Sequence, residues 1–351
     1  MKKGGKDMRR RTGLLLRAAL LLLAAAMAVR GLPPGVRQWL TPQHLLETAV
    51  RLETGAVYAP AETSEPEPVL VQPTPTPEPD PTPTPTSDAP DRTPEGLPIL
   101  PTSFTGGLTL RNATDYAPDL AALLAEGPSL RFDAEGPQVL IVHTHTSEAY
   151  TPSEGNRYDA SDTMRTQDPS FNILRVGDVL ASRLEAAGLS VLHDRTVNDY
   201  PSYAGAYSRS GAVVEQRLAE YPSIRMVIDL HRDALCSDTV VYKTVAELPD
   251  AEPCAQVMFV VGTDSLGLEH PNWRENLKLA VWLQDAVSRR HPTLLRPIDL
   301  VRERYNQHLC PGMMLIEIGS SGNTLPEAIR AAELLGDAMG GALSKLTESG
   351  A

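Results

Sequence analysis

Val139-Leu140-Ile141-Val142-His143-Thr144-His145-Thr146-Ser147-Glu148 is the stretch on which the reading of this 351-residue chain turns. Four apolar residues in a row, three of them β-branched, describe a strand buried on both faces. That is the habit of an α/β sheet rather than of a half-exposed antiparallel one. The apolar run then gives way at once to two imidazoles, three hydroxyls and a carboxylate. In open α/β sheets, sites form beyond the carboxyl ends of strands. The polar tail of this strand is therefore the first place to look for chemistry.

The same alternation continues outward. Residues 172–187 read as a helix with Val176, Val179, Leu180 and Leu184 on one face and Gly188 as its stop. Strands follow at 189–192, 226–230, 239–245, 257–261 and 313–318. Helices are expected at 203–220, 275–289 and 325–346. The expected fold class is α/β: a twisted mixed sheet of about six strands flanked by helices, spanning 103–351.

Two more polar clusters sit at strand ends. His231-Arg232-Asp233 follows 226–230, and Glu317 lies within Leu315-Ile316-Glu317-Ile318-Gly319. A carboxylate inside an apolar strand is costly to bury unless it is paired or bound to a cation. Taken together, these histidines and glutamates are the ligand stock of a catalytic zinc site with three protein ligands and one open position. His145, Glu148 and His231 are assigned to the metal, and Glu317 to the proton transfers that such a site needs. His143 is the alternate ligand, because residues 143 and 145 point the same way in extended chain. Iron or manganese would accept similar ligands. Each residue also has a plainer reading: a hydrogen-bonded histidine, a solvated loop acid, or Glu317 as the buried partner of Arg232. HExxH is absent, as are cysteine zinc spacings and the GxSxG elbow of a serine nucleophile. Gly319-Ser320-Ser321-Gly322 lacks the lysine of a phosphate loop.

The flanks set the context. Apolar residues make up 42% of the chain, enough for a sizeable core, and the formal charge of −12 argues against nucleic acid as the main partner. Lys2, Lys3, Lys6, Arg9, Arg10 and Arg11 precede an apolar run over 13–29. This reads either as a signal peptide or as an uncleaved anchor, and in both cases everything after Arg30 is exported. The segment 1–35 is thus a basic tip and membrane segment, and 36–59 a juxtamembrane piece of weak helical pattern. From Pro60 to Pro101 the chain holds 14 of its 31 prolines and eight acids against one arginine. Such a stretch buries almost nothing apolar and should form an extended spacer over 60–102. At about 3 Å per residue it would reach on the order of 100 Å. Cys236, Cys254 and Cys310 are scattered, with no CxxC pair to imply a disulfide framework.

With these clusters in place, the chain resembles the stage II sporulation protein P family. The resemblance is carried by Val139 to Pro152, Val191-Leu-His-Asp-Arg-Thr196, Asp199-Tyr-Pro-Ser-Tyr203 and Val227-Ile-Asp-Leu-His-Arg-Asp-Ala234. Asn276-Leu-Lys-Leu-Ala280, Tyr305-Asn-Gln-His-Leu309 and Leu315 to Thr324 complete it. The family is similar to the zinc N-acetylmuramoyl-L-alanine amidases. The resemblance implies a membrane-anchored peptidoglycan hydrolase, active during spore engulfment on the wall side of the membrane. It implies amidase and endopeptidase activity, one Zn2+, and stage II sporulation proteins D and M as partners. A non-catalytic peptidoglycan-binding scaffold is the rival reading. His145 (or His143) and His231 fall where the family's histidines lie, and Glu317 matches the amidases' catalytic glutamate. Arg232, Asp233 and Asn276 are the candidates for holding the peptide. One departure stands out: Asn198 occupies the place before the Asp-x-Pro-Ser-Tyr segment where the family pattern leads one to expect histidine.

Overall fold

The computed structural model describes residues 91–133 and 135–347. The expected membrane and juxtamembrane segments, and the spacer as far as residue 90, lie outside these. Among the described residues no helix is long and apolar enough to cross a membrane.

In chain order the strands are β1 (Ile99–Thr102), β2 (Leu110–Asn112), β3 (Val139–Val142), β4 (Val191–His193), β5 (Met226–Asp233), β6 (Val241–Thr244), β7 (Val257–Val261), β8 (Ile298–Leu300) and β9 (Met313–Ser320). The helices are α1 (Leu120–Glu126), α2 (Ile173–Ala186), α3 (Ala206–Glu220), α4 (Trp273–Arg290) and α5 (Leu325–Leu343). Seven strands form one sheet in the order β2-β8-β7-β9-β5-β3-β4. Neighbours are parallel except at β7–β9, where the sheet reverses direction. The sheet is mixed, as expected, with one strand more than anticipated.

The central strands are apolar on both faces because both faces are covered. On one side Val139, Ile141, Ile228, Leu230, Phe259 and Ile316 meet α2, α4 and α5. On the other, Leu140, Val142, Val227 and Met313 meet Val214 of α3 and the segment before β9. Each fully buried aliphatic side chain contributes roughly 1.5–3 kcal/mol. A core of this extent can carry buried polar residues at the strand ends. Helices α2 and α5 cross closely: a Cβ on Gly336 would lie 2.5 Å from the Cβ of Arg183. Helix α5 starts sharply through a capping box, in which Thr324 accepts from the Glu327 amide and Glu327 accepts from the Thr324 amide.

Two expectations are corrected. The folded part begins before residue 103, since Ile99–Thr102 pairs in parallel with β6 and Ile99 is buried. The strand expected at 239–245 does not join the main sheet. Asn323 fastens it to the end of β9 instead, accepting from the amides of Thr244 and Ser320 and donating to the Thr244 carbonyl.

Candidate metal and catalytic centre

Strand β5 carries the centre. Alternation places Val227, Asp229 and His231 on the α3 face, and on β9 it gives Met313, Leu315 and Glu317 the same face. The register sets His231 beside Glu317, with a bulge just beyond at Asp233. Asp229 is fully enclosed but well supplied with donors: Thr144 gives its amide at 2.8 Å and its hydroxyl at 2.7 Å. The same Thr144 hydroxyl lies 2.6 Å from Ser210 of α3, which ties the turn after β3 to the helix.

His231 lies between two carboxylates. Its Nε2 is 2.9 Å from Asp229 Oδ1, in a geometry too bent for a good hydrogen bond, and its Nδ1 is 3.4 Å from Glu148 Oε2. Glu148 Oε2 also accepts from the Arg232 amide at 3.1 Å. His145 completes the group, with its ring edge-on to His231 at 5.2 Å between centroids. The Tyr203 ring stacks on His145 at 4.3 Å, and the Tyr203 hydroxyl lies 2.9 Å from His145 Nε2. His145 Nδ1 is buried with no partner, and so is Glu317 Oε2.

The electrostatics follow from this enclosure. Burial opposes charge on His231, but Asp229 and Glu148 outweigh it and hold the imidazole well above its ordinary pKa. Burial likewise opposes the Glu148 anion, yet His231, Arg232 and His145 keep it well below the usual carboxylate range. His145 is pushed down to about 4 by burial. Glu317 is raised well above the usual range by burial, with Asp233 and Glu148 adding to it.

His143 is elsewhere. It continues the odd positions of β3 toward α2, where its Nδ1 donates to the Leu230 carbonyl at 2.9 Å and its Nε2 meets His193 Nε2 at 2.8 Å. The chain leaves the strand at Val142 and turns. Residues 143 and 145 therefore do not point the same way. Arg232 is also not free to meet a substrate. It is buried, its guanidinium donating to the carbonyls of Ala149 and Met164, and it is not the partner of Glu317. Asn276 is fully enclosed within α4 and donates to the Gln307 carbonyl. Both serve as scaffold rather than as a peptide-binding surface. Asp233 is half-buried and paired with Arg296 at 2.7 Å. Asn198 is scaffold too, donating its side chain to the His143 carbonyl and its amide to Thr146, so it supports the 143–146 turn. All three cysteines are free.

Sequence reasoning missed Tyr203, Asp199 and Arg165 as parts of the centre. Asp199 takes the Ser147 amide and hydroxyl and pairs with Arg165 at 3.2 Å. Asp229 carried a signal, as an acid inside an apolar strand. Arg165 carried none, because only the fold brings its loop back to Glu148.

A divalent ion fits this set by donor chemistry. Tyr203 meets His145 at Nε2, the outer-shell support that metal-binding histidines use, while His231 Nε2 lies 2.9 Å from Asp229 without a good hydrogen bond. His145 Nδ1 remains for an ion, and His231 Nδ1 and Glu148, 3.4 Å apart, could share one between them. Among the described residues, however, no group of three His, Cys, Asp or Glu is spaced as a ready-made cage.

An α/β domain with a buried histidine–carboxylate cluster at the strand ends is the class that fold and site define. Residues 79–340 match the family described as Stage II sporulation protein P. The chain belongs to that family. Stage II sporulation protein P of Bacillus subtilis (strain 168) is 29% identical over 212 residues, covering 57% of this chain. The chain spans 49% of that relative's length. Among solved structures, N-acetylmuramoyl-L-alanine amidase AmiC2 of Nostoc punctiforme aligns at 13% identity over 60% of this chain and 97% of that one, with a TM-score of 0.34. N-acetylmuramyl-L-alanine amidase Ami1 from Mycobacterium smegmatis aligns at 10% identity over 61% and 98%, with a TM-score of 0.35.

Proposed function

We propose that the domain is a zinc-dependent amide hydrolase acting on peptidoglycan during sporulation. Its target is the bond between muramic acid and L-alanine, together with peptide cross-links. One observation carries the reading: two buried histidines, each with a nitrogen left without a hydrogen bond, lie with the buried Glu148 one strand from a second carboxylate with an unpartnered oxygen.

His145, His231 and Glu148 would hold the ion. When bound, it supplies the Lewis acidity that brings the pKa of water from 15.7 to about 7. Glu317 takes a proton from the attacking water and returns it to the departing amine. The raised pKa of this carboxyl suits a group that must both accept and give a proton near neutrality. Tyr203 fixes the His145 ring and Asp229 the His231 ring, so neither side chain has to reorganise during the reaction. Family membership supports the sporulation and peptidoglycan parts of the reading. Anchoring by the N-terminal segment, with the domain outside the cytoplasm, belongs to the same proposal, as do stage II sporulation proteins D and M as partners.

Digestion of purified sacculi by the full chain tests it. Stripping zinc with a chelator should stop release of stem peptides, and adding zinc back should restore it. Glu317→Gln should bind the wall and cut about 10²–10⁴-fold more slowly. Undiminished digestion after complete metal removal overturns the metal role. Near-normal cleavage by Glu317→Gln removes that residue as the base.

A further inference from the structure

Arg165 lies in the long loop between β3 and α2, and the fold holds it tightly. Its amide donates to the Asp162 carbonyl at 3.0 Å, and its own carbonyl accepts from Ser161 at 2.9 Å. The preceding Met164 carbonyl accepts from Ala149 at 3.0 Å and from the buried Arg232 at 2.9 Å. Met164 sits at φ 50, a conformation that a side-chain-bearing residue keeps only where its surroundings impose it. The loop thus delivers Arg165 to one place.

In that place the guanidinium lies over the Tyr203 ring, 4.6 Å from its centroid. Nη1 donates to Asp199 Oδ2 at 3.2 Å and to Ser147 Oγ at 3.4 Å. Nη2 faces Glu148 Oε1 at 3.7 Å, beyond hydrogen-bond length. The side chain is 17% exposed. The other arginines near the centre are committed. Arg232 serves two carbonyls, Arg209 donates to the carbonyls of Asn198, Ser202 and Ala204, and Arg296 is paired with Asp233. Arg165 is anchored by hydrogen bonds through Nη1, while Nη2 has only the long ion pair with Glu148 and no hydrogen bond among the described residues. A rigid guanidinium edge of this kind fits a carboxylate.

We propose that Arg165 is a specificity-determining residue that receives, through Nη2, a carboxylate on the peptide side of the scissile amide. This rests on the amide-hydrolase reading above. In that reading the ion offsets the charge of Glu148, which frees the guanidinium to attract a substrate anion. Charge-assisted hydrogen bonds of this type are worth roughly ten- to a hundredfold in affinity.

The test uses the full chain and two probes. One is N-acetylmuramoyl-L-alanyl-D-glutamate, with free α- and γ-carboxylates. The other is its diamide, in which both carboxylates are carboxamides. Cleavage gives KM and kcat for each, and calorimetric binding to Glu317→Gln gives affinities without turnover. The acid should be preferred roughly ten- to a hundredfold, in KM and in binding. Arg165→Gln in that background should lose the preference, and Arg165→Lys should keep part of it, since lysine retains the charge without the fork. A preference that survives in Arg165→Gln, or no preference in the parent, overturns the proposal. So does a loss that falls on kcat for both probes alike, which would make Arg165 a stabiliser of the reacting oxygen. If the parent cuts neither probe nor the wall, the hydrolase reading fails, while the binding measurement still reports on Arg165 separately.

Discussion

His143 and His193 pack on the α2 face of the sheet, and His145 and His231 on the α3 face. The first pair is fully committed within the protein. Its outer contacts are the Leu230 carbonyl at 2.9 Å and Asp178 at 3.1 Å, and the rings meet at 2.8 Å. In the second pair His231 lies between Asp229 and Glu148 with Nε2 lacking a hydrogen bond, and His145 meets Tyr203 at Nε2 while its Nδ1 is buried without a partner. Burial is similar, since His143, His145 and His231 are all enclosed. The difference lies in which nitrogens the fold has satisfied. A buried histidine with every nitrogen placed is part of the framework; one with an unpartnered nitrogen has capacity left for a ligand.

Removing one imidazole from each pair separates the two roles. His145→Ala should abolish hydrolysis. It should also weaken zinc binding by more than the roughly 10–100-fold that loss of an outer-shell partner costs. His143→Ala should do the reverse. It should lower stability by about 2–4 kcal/mol, through an unfilled cavity and an orphaned carbonyl, while zinc affinity stays within a few-fold of the parent. Zinc titration and urea unfolding of both variants decide the matter. Loss of zinc binding in a still-folded His143→Ala protein would erase the distinction.

A smaller change probes the committed pair alone. The helix α2 leaves room for the two rings at Gly177, where a Cβ would lie 2.7 Å from His193 Nε2 and 2.9 Å from His143 Nε2. Gly177→Ala gains up to about 1 kcal/mol in helix propensity but forces an overpacking that costs about 1–3 kcal/mol. A net loss of about 1 kcal/mol is expected, with hydrolysis unimpaired. A rise in the melting temperature would mean that the rings do not depend on that gap.

The sequence makes one half of this comparison legible and hides the other. The apolar runs at 139–142, 226–230, 257–261 and 313–318 mark central strands because burial on both faces leaves little room for anything but aliphatic residues. The short strands β2, at the sheet edge, and β8 beside it, together with β1, escape notice, because three or four residues of mixed polarity carry no periodic signal. Glu317 and His231 stand out as polar residues inside or directly after such runs. The choice between His143 and His145 does not, because it depends on where the chain leaves β3, and Thr144 binding Asp229 from a strand away helps set that point. Arg232 beside His231 looks like a binding residue in sequence. Its side chain is drawn inward by two loop carbonyls that only the folded chain brings near.

Glu317 gives the smallest effect and the most direct measure of what the open pair costs the fold. Burial, with Asp233 and Glu148 adding, raises its pKa well above the ordinary 4.5. The folded state therefore holds this proton to higher pH than the unfolded chain does. Its contribution to stability is intact below about pH 4.5 and is lost as pH rises toward the folded-state value. Glu317→Gln removes that loss. In metal-free protein the variant should melt together with the parent near pH 4 and a few degrees above it at pH 8. The gap should shrink when zinc is added, since a nearby cation favours the carboxylate in the parent. Melting curves that coincide at both pH values would show that Glu317 is not strained by its surroundings. A gap that opens with pH would show that the chain keeps, at this position, an acid it would fold better without.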